Sequence, residues 1–132
     1  MSVLVDSNVL IDLIDPSVSW HQWSAAQVAE MTNANEALMI NPIIYAEVSI
    51  PFRDARTVEE LLAPFDREAL PFEAAFLAGK AFQAYRQRGG ARTSPLPDFF
   101  IGAHALVGSH RLLTRDAARY RTYFPDVTLI AP

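Results

Sequence analysis

The sequence predicts an α/β fold with a parallel central sheet covered on both faces. Short apolar runs recur along the chain, separated by stretches with helical periodicity. The runs are continuously apolar instead of alternating, the pattern of strands buried on both sides. No repeat, low-complexity tract or linker interrupts the 132 residues, so residues 1–132 read as a single domain.

Val3-Leu4-Val5 is the first strand, ending on Asp6, with Ser7 as a cap for a helix carrying Val9, Leu10 and Leu13. Asp15-Pro16 stops that helix. A second helix is expected from about Trp20 to Thr32, then a strand at Ala37-Leu38-Met39-Ile40. Asn41-Pro42 opens a helix through Glu47 and Ile50. A short helix follows from Thr57 to Leu62, and Glu68-Ala69-Leu70 reads as a small strand. Phe72, Ala75, Phe76, Gly79 and Phe82 fall on one stripe, predicting a helix with that face inward. A Gly89-Gly90 loop and Pro95 to Pro97 lead into a helix from Asp98 to Val107. Leu112-Leu113-Thr114 and Val127-Thr128-Leu129-Ile130 complete the strands, with a helical turn near Ala117 to Tyr120.

Hydrophobic residues at 51% and charged residues at 20% exclude wholesale disorder. No apolar run is long enough to span a bilayer, and no secretory signal is expected. With no cysteine, thiolate catalysis and sulfur-ligated zinc are ruled out, and the composition fits a reducing cytoplasm. The net charge of −4 hides a split. Residues 1–79 carry twelve acids and three bases, whereas residues 80–132 carry eight bases and three acids. Ten of the eleven cations are arginine, whose planar fork suits phosphate, so the second half offers either a basic face for an anionic ligand or ordinary surface arginine.

Four carboxylates stand in unusual places. Asp6 and Asp116 each follow an apolar strand, where α/β proteins bind ligands; each could equally stabilise the first turn of a helix. Glu47 shares a helical stripe with Ile43 and Ile50, a costly place for a charge without a cation or donor. Asp98 opens a helix whose same side carries Ile101, Gly102 and Ala105. Several carboxylates share a pocket while ionised only if a cation neutralises them, and hard oxygen ligands suit Mg²⁺ or Mn²⁺. Such a site can polarise a phosphoryl oxygen and activate water, as phosphodiester hydrolysis requires.

Four segments resemble the motifs of PIN-domain ribonucleases in order and spacing. They are Val3-Leu4-Val5-Asp6-Ser7-Asn8-Val9-Leu10-Ile11, Asn41-Pro42-Ile43-Ile44-Tyr45-Ala46-Glu47-Val48, Pro97-Asp98-Phe99-Phe100-Ile101-Gly102-Ala103-His104-Ala105 and Leu112-Leu113-Thr114-Arg115-Asp116. The compact length and the closing Tyr123-Phe124-Pro125-Asp126-Val127 stretch are most similar to VapC-type toxins of toxin–antitoxin pairs. The resemblance implies a three-layer α/β/α domain and a divalent-metal-dependent endoribonuclease, with Asp6, Glu47, Asp98 and Asp116 around Mg²⁺ or Mn²⁺. Asn8 and Thr114 match polar positions that support the acids or the water. A homodimer, a small antitoxin partner and an RNA substrate are further implications, with RNA processing without an antitoxin as the alternative.

Arg88 and Arg92, in the Gly-Gly loop, and Arg115, between Thr114 and Asp116, are the expected substrate-binding arginines. Arg115 is expected either to contact substrate or to pair with an acid. His104 reads as a satisfied packing residue, His21 and His110 as surface. Trp20 and Trp23 suit core or dimer packing, and Phe99, Phe100, Tyr123 and Phe124 the core. A receiver-type signalling domain would need an acid adjacent to Asp6 and a late lysine, but the only lysine is Lys80. An aspartyl phosphatase would need an aspartate where Asn8 stands.

Overall fold

Val3, Leu4 and Val5 are fully excluded from solvent because β1 (Ser2–Val5) runs down the middle of a five-stranded sheet. The computed structural model describes residues 2–132. On one side of β1 lie β2 (Ala37–Ile40) and β3 (Asp66–Arg67), and on the other β4 (Arg111–Leu113) and β5 (Leu129–Ile130). Every pairing is parallel, in the order β3-β2-β1-β4-β5. Continuous apolar strands therefore have the sequence that a sheet covered on both faces demands.

Among the described residues, seven helices connect and cover the strands: α1 (Ser7–Ile14), α2 (His21–Asn33), α3 (Pro42–Ser49), α4 (Ala55–Leu62), α5 (Phe72–Gln87), α6 (Pro97–Val107) and α7 (Ala118–Tyr123). The result is the expected α/β/α layering. Asp6 caps α1 by accepting from the Ser7 N–H, so Ser7 is the first helical residue and not the cap. Asn41 caps α3 by accepting from the Ile44 N–H, with Pro42 in the first turn, as the Asn-Pro pair predicts. In α6 the ring of Phe124 lies where a side chain at Gly102 would sit, within 2.4 Å of an ideal Cβ, so the small residue lets that ring pack on the helix.

From β1 the chain winds outward through β2 and β3, then crosses back to β4 on the other side of β1. The carboxyl ends of β1 and β4 thus flank a topological switch point, the place where open α/β sheets bind ligands.

Several expectations are corrected. The inward residues of α5 are Ala74, Ala78 and Ala81, whereas Phe72 is 94% and Phe76 64% exposed. Small alanines let α5 lie close against α6, which rotates the phenylalanine end of the predicted stripe into solvent. Ile50 is 82% exposed because it follows the last residue of α3. The small strand falls at Asp66–Arg67, just before the predicted Glu68-Ala69-Leu70. His110 is buried, not on the surface, since its ring folds back beside His104.

Candidate active site

Three of the four singled-out acids converge at the switch point. Asp6, 3% exposed, sits at the carboxyl end of β1, and its backbone N–H continues the sheet by donating to Leu113. Its Oδ2 accepts from the Thr114 hydroxyl at 2.9 Å, the Tyr120 hydroxyl at 2.8 Å and Asn8 Nδ2 at 3.3 Å. Ser7, beside Asp6, donates its hydroxyl to Glu47 Oε1 at 2.8 Å, which ties α3 to α1. Asp98 in the first turn of α6 meets the opposite flank. Its Oδ1 lies 3.5 Å from the Tyr120 hydroxyl, and its Oδ2 accepts from Arg119 at 3.0 Å.

Asp116 is linked to the group through its backbone. Its N–H donates to the Thr114 hydroxyl at 3.2 Å, while its own side chain is exposed. Thr114 therefore collects the Asn8 amide and the Asp116 N–H and passes its single proton to Asp6. Asn8 completes the loop by accepting from the Arg115 N–H through Oδ1.

The electrostatics of this cluster are unbalanced. Burial raises the Asp6 carboxyl above the ordinary aspartate value, and the Asp98 charge adds to the rise against the lowering hydrogen bonds of Tyr120 and Thr114. Glu47 is raised by burial first, then by Asp6 and Asp98. The Tyr120 hydroxyl is pushed well above its usual value by burial and by the neighbouring carboxylates, so it stays a proton donor. Among the described residues, no lysine or arginine pairs with Asp6 or Glu47; the arginine present, Arg119, binds Asp98. An all-oxygen donor set with surplus negative charge fits a hard divalent cation.

The predicted arginines divide. The Arg115 Nε donates to Asp12 Oδ2 at 2.8 Å, and Ser24 holds the same oxygen at 2.8 Å. Arg88 stacks over the Tyr123 ring at 5.4 Å. In the loop, the Arg92 carbonyl accepts from Arg86, and neither Arg88 nor Arg92 pairs with an acid among the described residues.

Sequence reasoning missed Tyr120, Asp12, the pairing of Arg119 with Asp98 and the donor role of Ser7. Asp12 was within reach: it is an acid on a helix of otherwise apolar neighbours, the same signal that marks out Glu47. Tyr120 carried only a weak signal, one helical turn beyond Asp116.

The family described as PIN domain matches residues 3–125. No curated protein matches the chain. Among solved structures, VapBC2 from Rickettsia felis bound to a DNA fragment from its promoter aligns with a TM-score of 0.76 and 15% identity, covering 100% of this chain and 99% of that one. VapBC-1 from nontypeable Haemophilus influenzae aligns at 0.74 and 19% identity, over 99% and 98% of the two chains. A toxin–antitoxin complex from Klebsiella pneumoniae aligns at 0.65 and 23% identity, over 96% of each. With a family match spanning nearly all of its length, and acids gathered where the sheet changes direction, the chain belongs to the PIN domain family.

Proposed function

We propose that the protein is a divalent-metal-dependent endoribonuclease, the toxin of a VapBC-type toxin–antitoxin pair. The observation that carries the nuclease reading is the convergence of Asp6, Glu47 and Asp98 with no cation against the first two. Asp6, Glu47, Asp98 and Asp116 would hold Mg²⁺ or Mn²⁺. When bound, the ion supplies Lewis-acid polarisation of a phosphoryl oxygen and activation of water. Thr114, Tyr120 and Asn8 hold Asp6 in place, and Ser7 holds Glu47. Arg115, Arg88 and Arg92 would grip the RNA backbone, Arg115 with its Nε already fixed by Asp12.

The toxin reading is supported by likeness to toxin–antitoxin structures over nearly the whole length of both chains. It brings a small antitoxin partner and a homodimer. Among the described residues no helix is long and apolar enough to cross a membrane, in keeping with the proposed cytoplasmic setting.

The test is incubation of the purified protein with total RNA. Cleavage is expected with Mg²⁺ or Mn²⁺, and none with EDTA or in Asp98→Asn, which should retain wild-type circular dichroism. Cleavage by Asp98→Asn at the wild-type rate would remove that acid from the site. Co-expression with a small antitoxin encoded beside it should suppress activity and yield a copurifying complex.

A further inference from the structure

Away from the acid cluster, five side chains form a hydrogen-bonded chain beneath α6. Asn41 Nδ2 meets His104 Nδ1 at 2.9 Å, His104 Nε2 meets Glu68 Oε1 at 2.6 Å, and His110 Nε2 reaches the same oxygen at 3.0 Å. Ser2 closes the far end on His110 Nδ1. His104 has no exposed surface at all.

The direction of each hydrogen bond follows from one fact. Asn41 Oδ1 is committed to the Ile44 N–H as the cap of α3, so the group facing His104 is the amide NH₂. His104 Nδ1 must then be a bare acceptor, which leaves the ring proton on Nε2, pointing at Glu68. The Glu68 carboxyl is held below the usual glutamate value by the His110 and His104 hydrogen bonds, consistent with an ionised acceptor.

This polarity decides between two roles. Glu68, His104 and His110 bring donor atoms within 4.8 Å of one another, close enough to hold a metal ion. Coordination through His104 Nε2 would move its proton to Nδ1, against the Asn41 NH₂, and cost either that bond or the α3 cap. The trio is therefore built as a hydrogen-bond network.

Its placement gives it a task. Asn41 starts the helix that carries Glu47, and His104 lies on the helix that carries Asp98. Among the described residues, theirs is the only side-chain hydrogen bond joining α3 or its cap to α6. We propose that Asn41, His104 and Glu68 are positioning residues that fix the spacing of Glu47 and Asp98 through a His104 ring held as the Nε2–H tautomer. The proposal rests on the reading of those acids as the metal-holding site.

Asn41→Asp and Asn41→Ser test it in the full chain. Both keep an oxygen to cap α3, but aspartate faces His104 with an acceptor and serine withdraws the amide donor. Nitrogen-detected histidine NMR should find His104 protonated on Nε2 alone in the wild type and on both ring nitrogens in Asn41→Asp, where a carboxylate faces each side. Mn²⁺ titration followed by electron paramagnetic resonance, with Asp98→Asn marking the acid site, should show affinity weakened about tenfold in both variants with helix content retained. Asn41→Ser, which adds no charge, keeps the measurement usable if Asn41→Asp does not fold.

An Nδ1–H ring in the wild type, or unchanged Mn²⁺ affinity in the variants, overturns the proposal. So does stoichiometric Zn²⁺ binding that is lost in His110→Ala, which would make the trio a metal centre. Wild-type protein that binds Mn²⁺ at the acids yet cuts no RNA sinks the nuclease reading alone, and the variants' Mn²⁺ affinities still decide the positioning claim. Wild-type protein that binds no Mn²⁺ sinks both.

Discussion

The Tyr120 hydroxyl donates to Asp6 Oδ2 across 2.8 Å, fastening α7 to the end of the first strand with both groups buried. Tyr120→Phe removes one of three donors to that oxygen and leaves the carboxylate less satisfied. Urea unfolding of the metal-free protein should show a loss of about 1–2 kcal/mol. A null effect would mean that Thr114 and Asn8 suffice to hold Asp6.

Asp6 and Glu47 both titrate above their ordinary values of 3.8 and 4.5, burial being the main cause in each. Their favourable contribution is complete below those values and disappears as pH rises through the higher folded-state values. Metal-free protein should therefore lose stability from these two groups across that window, and Mg²⁺ should restore it at neutral pH. Glu47→Gln should raise the metal-free melting temperature at pH 7 and shrink the Mg²⁺-induced shift. Melting curves with and without EDTA would read both effects, and a Glu47→Gln protein less stable than wild type would contradict the account.

Arg115 neutralises Asp12, whose side chain is 3% exposed, while Arg115 itself is 32% exposed. Arg115→Ala strands a buried carboxylate with only the Ser24 hydroxyl. The expected cost is roughly 1–3 kcal/mol, reduced from the fully buried case because the arginine reaches water. Adding Asp12→Ala should recover part of it. A double-mutant cycle by urea denaturation measures the coupling, and strict additivity would show that the pair contributes nothing.

Under the proposed function, RNA binding by Asp98→Asn should weaken as salt rises, because arginine–phosphate contacts would release counterions. Arg88→Ala and Arg92→Ala should each flatten the log–log salt slope by about 0.7 if each meets one phosphate of a single strand. Filter binding across a salt series decides this; an unchanged slope would assign the residue to solvent.

The strands and most helices were legible because their signals are local: continuous apolar runs, Asn-Pro at the start of α3, Asp15-Pro16 at the end of α1. The acids Asp6, Glu47 and Asp98 were legible because each breaks an apolar pattern. What stayed hidden depends on partners distant in sequence. The α5 stripe misled because its phenylalanines outrank its alanines in hydrophobicity, while close packing on α6 favours the alanines. His110 looked like a surface residue because nothing near it in sequence announces Glu68 or Ser2. Tyr120 resembles any core tyrosine until Asp6 is brought beside it.

The crossover from β3 back to β4 also sets when the Asp6 cluster can be completed. Strand β1 is central in the finished sheet, but its β4 neighbour is made more than a hundred residues later on the ribosome. Until then one edge of β1 is unpaired, and Asp6 lacks both Thr114 and Tyr120. A nascent chain holding Asp6, Glu47 and even Asp98 would still be an unfinished site. For the nuclease proposed above, the winding order acts as a delay, withholding the complete site until Thr114 and Tyr120 have emerged.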